Sequence, residues 1–295
     1  MVGCGFLALT LAAVLFGLAS LVKSCKSEGA SKGASTPASF EEDAEATPQK
    51  EETKTGLALE DLEMTSAPIS GYWKEEDLAV DDEQRWIGST CVVARDKGNI
   101  YLLTNRHCLG LEELSVADDD GYPEVINYGL QIHFPGNVIR QVKSFGILHG
   151  DVDLAWLVVD GTGVTQTIAL GMPNEKLPPM RPGLDVVVVG SPIDLELRGS
   201  HTFGRISALR PYTDGIGHEV QLIQTDAAIN HGNSGGPMFV KSSGRYTWVG
   251  VAVARVDAAD NLGLAIGRDT VMGREEPMWF SADPSGVIQL FNAWR

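Results

Sequence analysis

Gly232-Asn233-Ser234-Gly235-Gly236-Pro237 sets one hydroxyl among three glycines. Glycine takes positive-φ backbone at almost no steric cost, so such a segment can bend sharply and turn successive N–H groups toward one point. An exposed serine beside converging N–H donors suits a nucleophile whose developing oxyanion must be held. A glycine-rich hairpin turn would read the same in isolation. Ser234 therefore needs partners, and two histidine- and aspartate-bearing segments upstream qualify.

His107, in Thr104-Asn105-Arg106-His107-Cys108, leaves an apolar β-run and enters a short loop, where backbone can hold a general base on one side and expose it on the other. Asp153 stands at the mouth of Leu154-Ala155-Trp156-Leu157-Val158-Val159, a run apolar enough to be buried. A carboxylate there is costly to desolvate unless hydrogen-bonded, and a histidine N–H is the natural donor. Asp151, two residues earlier, is the competitor and reads as solvent-facing turn chemistry. Each residue alone has a bland reading. In the order His107, Asp153, Ser234, each beside an apolar strand, they point to nucleophilic acyl transfer.

The elements that must position them are strands. From about Gly71 onward, ten short runs of β-branched and aromatic residues, from WIGSTCVVA at Trp86 to LGLAIG at Leu262, are separated by turn signals. A helical period emerges only in residues 284–295, where Val287, Ile288, Phe291 and Trp294 share a face and Asp283 or Ser285 can cap the start. This is an all-β pattern, a sandwich or a pair of barrels, with a C-terminal α-helix.

Residues 2–22 are uncharged and apolar, and at about 1.5 Å per residue they can cross a hydrocarbon core of roughly 30 Å. A signal peptide, a signal-anchor and a lipoprotein signal ending near Cys25 all fit residues 1–22. Lys23, Lys26 and Lys32 on the C-terminal flank oppose export by the positive-inside rule. The expectation is nonetheless an extracytoplasmic, membrane-tethered or lipid-anchored protein, at a bacterial periplasm or cell surface. Residues 23–68 are rich in Ser, Ala, Glu, Lys, Thr and Pro and read as a disordered acidic linker. The folded region is then 69–295, with barrel 1 over about 80–172 and barrel 2 over about 173–280. The net charge of −16 disfavours nucleic acid as a partner. Cys91 and Cys108 flank a predicted hairpin, Asp96-Lys97-Gly98-Asn99, that pairs Cys91 with a residue near Leu103 or Thr104 rather than Cys108, which argues against a disulfide. No cofactor motif or metal-ligand spacing is found, and Asp118-Asp119-Asp120-Gly121 reads as a solvated loop.

The chain resembles trypsin-like serine proteases of the chymotrypsin fold, most closely their HtrA (Deg) branch. The resemblance rests on Gly88-Ser89, Leu103-Thr104-Asn105-Arg106-His107, Asp153-Leu154-Ala155, Val189-Gly190-Ser191-Pro192, Gly204-Arg205-Ile206-Ser207-Ala208, Thr225 through Asn230, Gly232 through Pro237 and Gly263-Leu264-Ala265-Ile266. It implies two six-stranded antiparallel β-barrels with the site between them. His107 would be general base, Asp153 its orienter and Ser234 the nucleophile, with the N–H groups of Gly232 and Ser234 as oxyanion hole. Polypeptides would be the substrates. Ala228, Ile229, Val253, Ala254 and Leu264 would wall a shallow apolar P1 pocket with no carboxylate at its base, and His231 would lie at its rim. Relatives suggest a homotrimer, for which Tyr72 and Trp73 are aromatic candidates. The PDZ module usual in HtrA proteins is not expected. Asn233 replaces the aspartate that pairs with a freed N-terminus in digestive relatives, so loop ordering is the expected control. A silent binding protein on the same scaffold is the alternative. An esterase-like hydrolase is disfavoured because the motifs follow the chymotrypsin-like order, His107 before Asp153 before Ser234.

Overall fold

Val186 to Val189 show why these residues make barrels. Val186 and Val188 face one cluster with Met238, Val240 and Ala265, while Val187 and Val189 face another with Leu103, Leu154 and Phe239. A strand buried on both faces reads as a continuous β-branched run, and this one separates the interior of a barrel from the packing between barrels. The computed structural model describes residues 56–75, 84–96, 98–111, 125–148, 150–171, 177–255, 262–272 and 279–282. These fall in one compact unit, Thr55–Arg295.

The first barrel is built from β1 (Ser66–Glu75), β2 (Gln84–Asp96), β3 (Asn99–Thr104), β4 (Val125–Phe134), β5 (Val138–Leu148) and β6 (Ala155–Asp160). Their order is β5-β4-β1-β2-β3-β6, and β6 pairs back on β5 to close the ring. The second comprises β7 (Asp185–Gly190), β8 (Ser200–Thr213), β9 (Glu219–Thr225), β10 (Pro237–Ser242), β11 (Arg245–Arg255) and β12 (Gly263–Gly267), closed in the order β10-β11-β12-β9-β8-β7. A short helix α1 (Arg268–Met272) follows, and β13 (Trp279–Ala282) pairs with β5 on the first barrel. The chain is thus two closed six-stranded antiparallel barrels. Each has its own interior, around Ile69, Phe134 and Phe145 in the first and Val188, Met238 and Val249 in the second. Between them, Cys91, Leu103, Leu148 and Leu154 pack with Val187, Phe239 and Val251.

The first barrel begins earlier than the composition suggests. β1 opens at Ser66, not near residue 80, and a 3-10 helix over Leu59–Thr65 precedes it. Leu57 bridges to Tyr246, and Leu62 is fully buried among inter-barrel residues, a burial worth about 1.5–3 kcal/mol. The end of the acidic linker, residues 56–68, is therefore ordered by a few leucines set among charges. Residues 279–282, at the expected end of the second barrel, extend the first. The expected helix over 284–295, the apolar run 2–22 and the acidic loop 118–121 lie outside the described residues. Among the described residues no helix is long and apolar enough to cross a membrane. Cys91 pairs with Leu103 across the hairpin as expected, and both Cys91 and Cys108 are free thiols. Trp73 lies in the interior of the first barrel, and the half-buried Tyr72 lies over Gly129.

Candidate active site

His107 opens a 3-10 turn, His107–Leu109, immediately after β3. Gly110 ends that turn at φ 67, and a side chain there would collide with the Trp86 ring. Trp86 in turn donates its indole N–H to the Cys108 carbonyl at 2.9 Å, so one aromatic ring seated on Gly71 and Gly110 fixes the turn that carries His107. The imidazole Nδ1 lies 2.6 Å from Asp153 Oδ2, and the His107 backbone N–H donates to Asp153 Oδ1 at 3.0 Å. A carboxylate only accepts, so Nδ1 carries the proton and Nε2 is left to accept one. Asn105, fully buried, donates its amide to the Asp153 carbonyl at 2.9 Å and ties the two loops together. Burial by itself depresses the imidazole pKa, but the Asp153 carboxylate overcomes it, and His107 is held well above the ordinary histidine value. Burial raises the Asp153 carboxyl while the charge and hydrogen bonds of His107 lower it more, leaving it below the usual carboxylate value. Asp151 is exposed and accepts from Gly215 N–H at 3.1 Å, buttressing the loop from the β8–β9 turn.

Ser234 sits in a segment whose glycines are required. Gly235 has φ 88, and a Cβ there would lie 2.0 Å from the Ser89 carbonyl oxygen and 2.4 Å from Thr104 Oγ1. That closeness exists because the first barrel grips the loop. Ser89 N–H donates to the Ser234 carbonyl at 2.7 Å, and Ser89 Oγ donates to the Gly232 carbonyl at 2.6 Å while accepting from Ser191 N–H at 2.9 Å. The Cys91 thiol donates to the Gly235 carbonyl at 3.2 Å and the Cys108 thiol to the Ser234 carbonyl at 3.6 Å. The N–H groups divide sharply. Asn233 N–H is bonded to Asn230 O, Gly235 N–H to Ala252 O and Gly236 N–H to Asn233 O. Among the described residues Gly232 N–H and Ser234 N–H have no acceptor. The Ser234 hydroxyl itself donates to the Val253 carbonyl at 3.1 Å.

The residues expected to wall the pocket pack into two different clusters. Ile229 is buried with Ala227, Ala252 and Ala265 and lies against Gly263, where a Cβ would meet Ile229 Cδ1 at 2.7 Å. Val253 and Leu264 face the other cluster, with Leu103 and Trp156, because alternate residues of β11 and β12 face opposite ways. Ala228 and His231 are exposed, and the side chain of Ala254 lies outside the described residues. Among the described residues no group of three or more His, Cys, Asp or Glu is placed to hold a metal ion. Sequence reasoning missed the grip exerted by Ser89, although Gly88-Ser89 stood among the matching motifs. It also missed Ile193, whose N–H holds the His231 carbonyl at 2.8 Å.

With this geometry in place, comparison with known proteins is informative. The family model for the trypsin-like peptidase domain matches residues 88–251. The chain is 29% identical over 184 residues to serine protease Do-like HtrB of Bacillus subtilis, covering 60% of this chain and 35% of that protein. It is 32% identical over 159 residues to serine protease Do-like HtrA of Lactobacillus helveticus, covering 54% of this chain and 33% of that protein. The chain thus spans about a third of the length of these relatives. A solved structure of the HtrA-type protease AlgW with tripeptide superposes with a TM-score of 0.48 at 21% identity, covering 73% of this chain and 60% of that one.

Proposed function

Because the chain belongs to the trypsin-like peptidase family, we propose that it is a serine endopeptidase, with His107, Asp153 and Ser234 as its triad. The observation that carries this is the division of N–H groups around Ser234: its neighbours are all bonded, while those of Gly232 and Ser234 are left for an oxyanion. Ser234 Oγ attacks the scissile carbonyl and gives its proton to His107 Nε2. The tetrahedral oxyanion is met by the N–H groups of Gly232 and Ser234. His107 then passes the proton to the leaving amine, and an acyl-enzyme remains. Water repeats the cycle in reverse roles, releasing the carboxylic acid product and the free serine. Asp153 Oδ2 holds the imidazole tautomer and stabilises the imidazolium, while its Oδ1 holds the His107 backbone N–H.

The substrates on this reading are exposed segments of polypeptides, in extracytoplasmic quality control or regulated proteolysis. Ile229, pressed against Gly263, leaves little depth beside the nucleophile loop, which supports a small apolar P1 side chain. Residues 1–22 would tether the protein to a membrane, with the acidic linker as spacer. A second reading, a silent binding protein on the same scaffold, draws on the Ser234 hydroxyl being bonded to the Val253 carbonyl rather than to His107. The two separate on incubating the full chain with an unfolded polypeptide beside a Ser234→Ala variant. Serine-dependent fragments ending in Ala, Val, Ile or Leu are expected. Intact substrate with both proteins would favour the binder, and cleavage after Arg or Lys would refute the pocket.

A further inference from the structure

The peptide that carries the Gly232 N–H is the one joining His231 to Gly232, and its orientation decides whether that N–H faces the substrate. Its carbonyl belongs to His231 and is held by a single hydrogen bond, from Ile193 N–H at 2.8 Å. Nothing in the glycine itself fixes the peptide, since Gly232, at φ 90, can take either sign of φ. The partner is conformationally unusual. Ile193 has φ 70, a region that β-branched residues almost never occupy. Asp194 N–H bonds to the Pro192 carbonyl at 2.7 Å, which closes a three-residue γ-turn about Ile193, of the strained positive-φ form. Tertiary packing does not hold the residue there, because its side chain is 72% exposed. The turn is instead pinned at both ends. Ser191 N–H is bound by Ser89 Oγ, and Asp194 caps the following 3-10 helix by accepting from Glu196 N–H at 3.0 Å. Space is tight as well: a Cβ on Gly232 would fall 2.2 Å from the Ser191 carbonyl oxygen and 2.9 Å from Ile193 N.

We infer that Ile193 is a positioning residue for the oxyanion hole: its backbone N–H, presented by a strained γ-turn, latches the His231–Gly232 peptide with the Gly232 N–H turned toward the substrate. Strain at such a position is kept when it serves a site. Opening the turn frees the His231 carbonyl, and the peptide can then rotate its N–H out of the hole with no change elsewhere in the fold. The inference rests on the serine endopeptidase reading for its consequence, while the latch itself stands on the hydrogen bond and the turn.

Two variants and two readouts test it in the full chain. Ile193→Pro removes the N–H and forbids φ 70. It is expected to lower kcat about 10²- to 10³-fold, the effect of losing one oxyanion donor, with KM within about twofold. The Kd of a peptide aldehyde, whose hemiacetal oxygen occupies the hole, is expected to rise by the same factor. Ile193→Gly keeps the N–H and relieves the strain, and is expected to match or exceed the parent in kcat. Parent-like turnover by Ile193→Pro, or an equal loss in Ile193→Gly, would overturn the latch. Amide exchange decides independently of activity. The Ile193 amide is expected to be protected in the parent and unprotected in Gly232→Ala, and exchange in the parent at the rate of an unstructured peptide would also overturn it. A parent without Ser234-dependent turnover but with a protected Ile193 amide would refute the endopeptidase reading and leave the latch in place.

Discussion

Replacing Ser89 by Ala isolates the grip of the first barrel on the nucleophile loop. Ser89 is fully buried, and its hydroxyl satisfies two backbone groups of the second barrel, the Gly232 carbonyl and the Ser191 N–H. The variant leaves both without a partner in a buried setting, at about 1–3 kcal/mol each. A loss of about 2–6 kcal/mol follows, offset only where the relaxed loop lets water reach one of them. For a unit of this size, about 1 kcal/mol lowers Tm by about 2–4 °C, so a drop of about 4–24 °C is expected. The two freed groups flank the oxyanion peptide, so activity should fall further than the folded fraction does. Thermal unfolding and kcat measured on the same preparation, well below Tm, separate the two effects. A Tm within about 1 °C of the parent together with an unchanged kcat would show that Ser89 does not hold the loop.

Asp153→Asn keeps the side-chain shape but allows the wrong imidazole tautomer, and is expected to lower kcat about 10⁴-fold, read by steady-state turnover. Gly235→Ala places a methyl against the Ser89 carbonyl at φ 88 and is expected to cost about 3 kcal/mol or more, read by denaturant unfolding. Because Asp153 holds His107 well above the ordinary histidine value, and catalysis needs the neutral imidazole, kcat/KM should rise with pH through a midpoint above that value. The same pair sets a stability window. The raised His107 pKa contributes below the unfolded histidine value and is lost as pH rises through the folded one. The lowered Asp153 pKa contributes above the unfolded carboxylate value and is lost as pH falls through the folded one. Denaturation across pH should show both limbs in the parent and neither in Asp153→Asn.

The strands and the His107–Asp153 pair were legible because both are written locally. Short alternating or continuous apolar runs mark β2 to β9, β11 and β12, and glycines cannot surround Ser234 without bending the chain. β1 escaped notice because Pro68 and Gly71 interrupt its pattern, and β10 because it opens on Pro237. Leu57 and Leu62 were lost among acids, although it is burial against the opposite barrel that orders them. The surroundings of the proposed pocket residues were not legible, because Ile229 packs inside the second barrel while Val253 and Leu264 pack between the barrels, a division that depends on tertiary closure. Ile193 had no signal of its own, since an isoleucine after a proline acquires its meaning only when the β7–β8 loop meets the His231–Gly232 peptide, and Ser89, though within a matching motif, acquires its grip only when the second barrel closes on the first.

On the endopeptidase reading, two barrels assemble one nucleophile from His107, Asp153 and Ser234. The most direct test of this is mass-spectrometric mapping of a fluorophosphonate adduct on the folded full chain, alongside His107→Ala and Ser234→Ala. A single adduct on Ser234, formed far more slowly in His107→Ala and absent in Ser234→Ala, is the predicted result. No adduct, or an adduct on another residue with Ser234 unmodified, would contradict it.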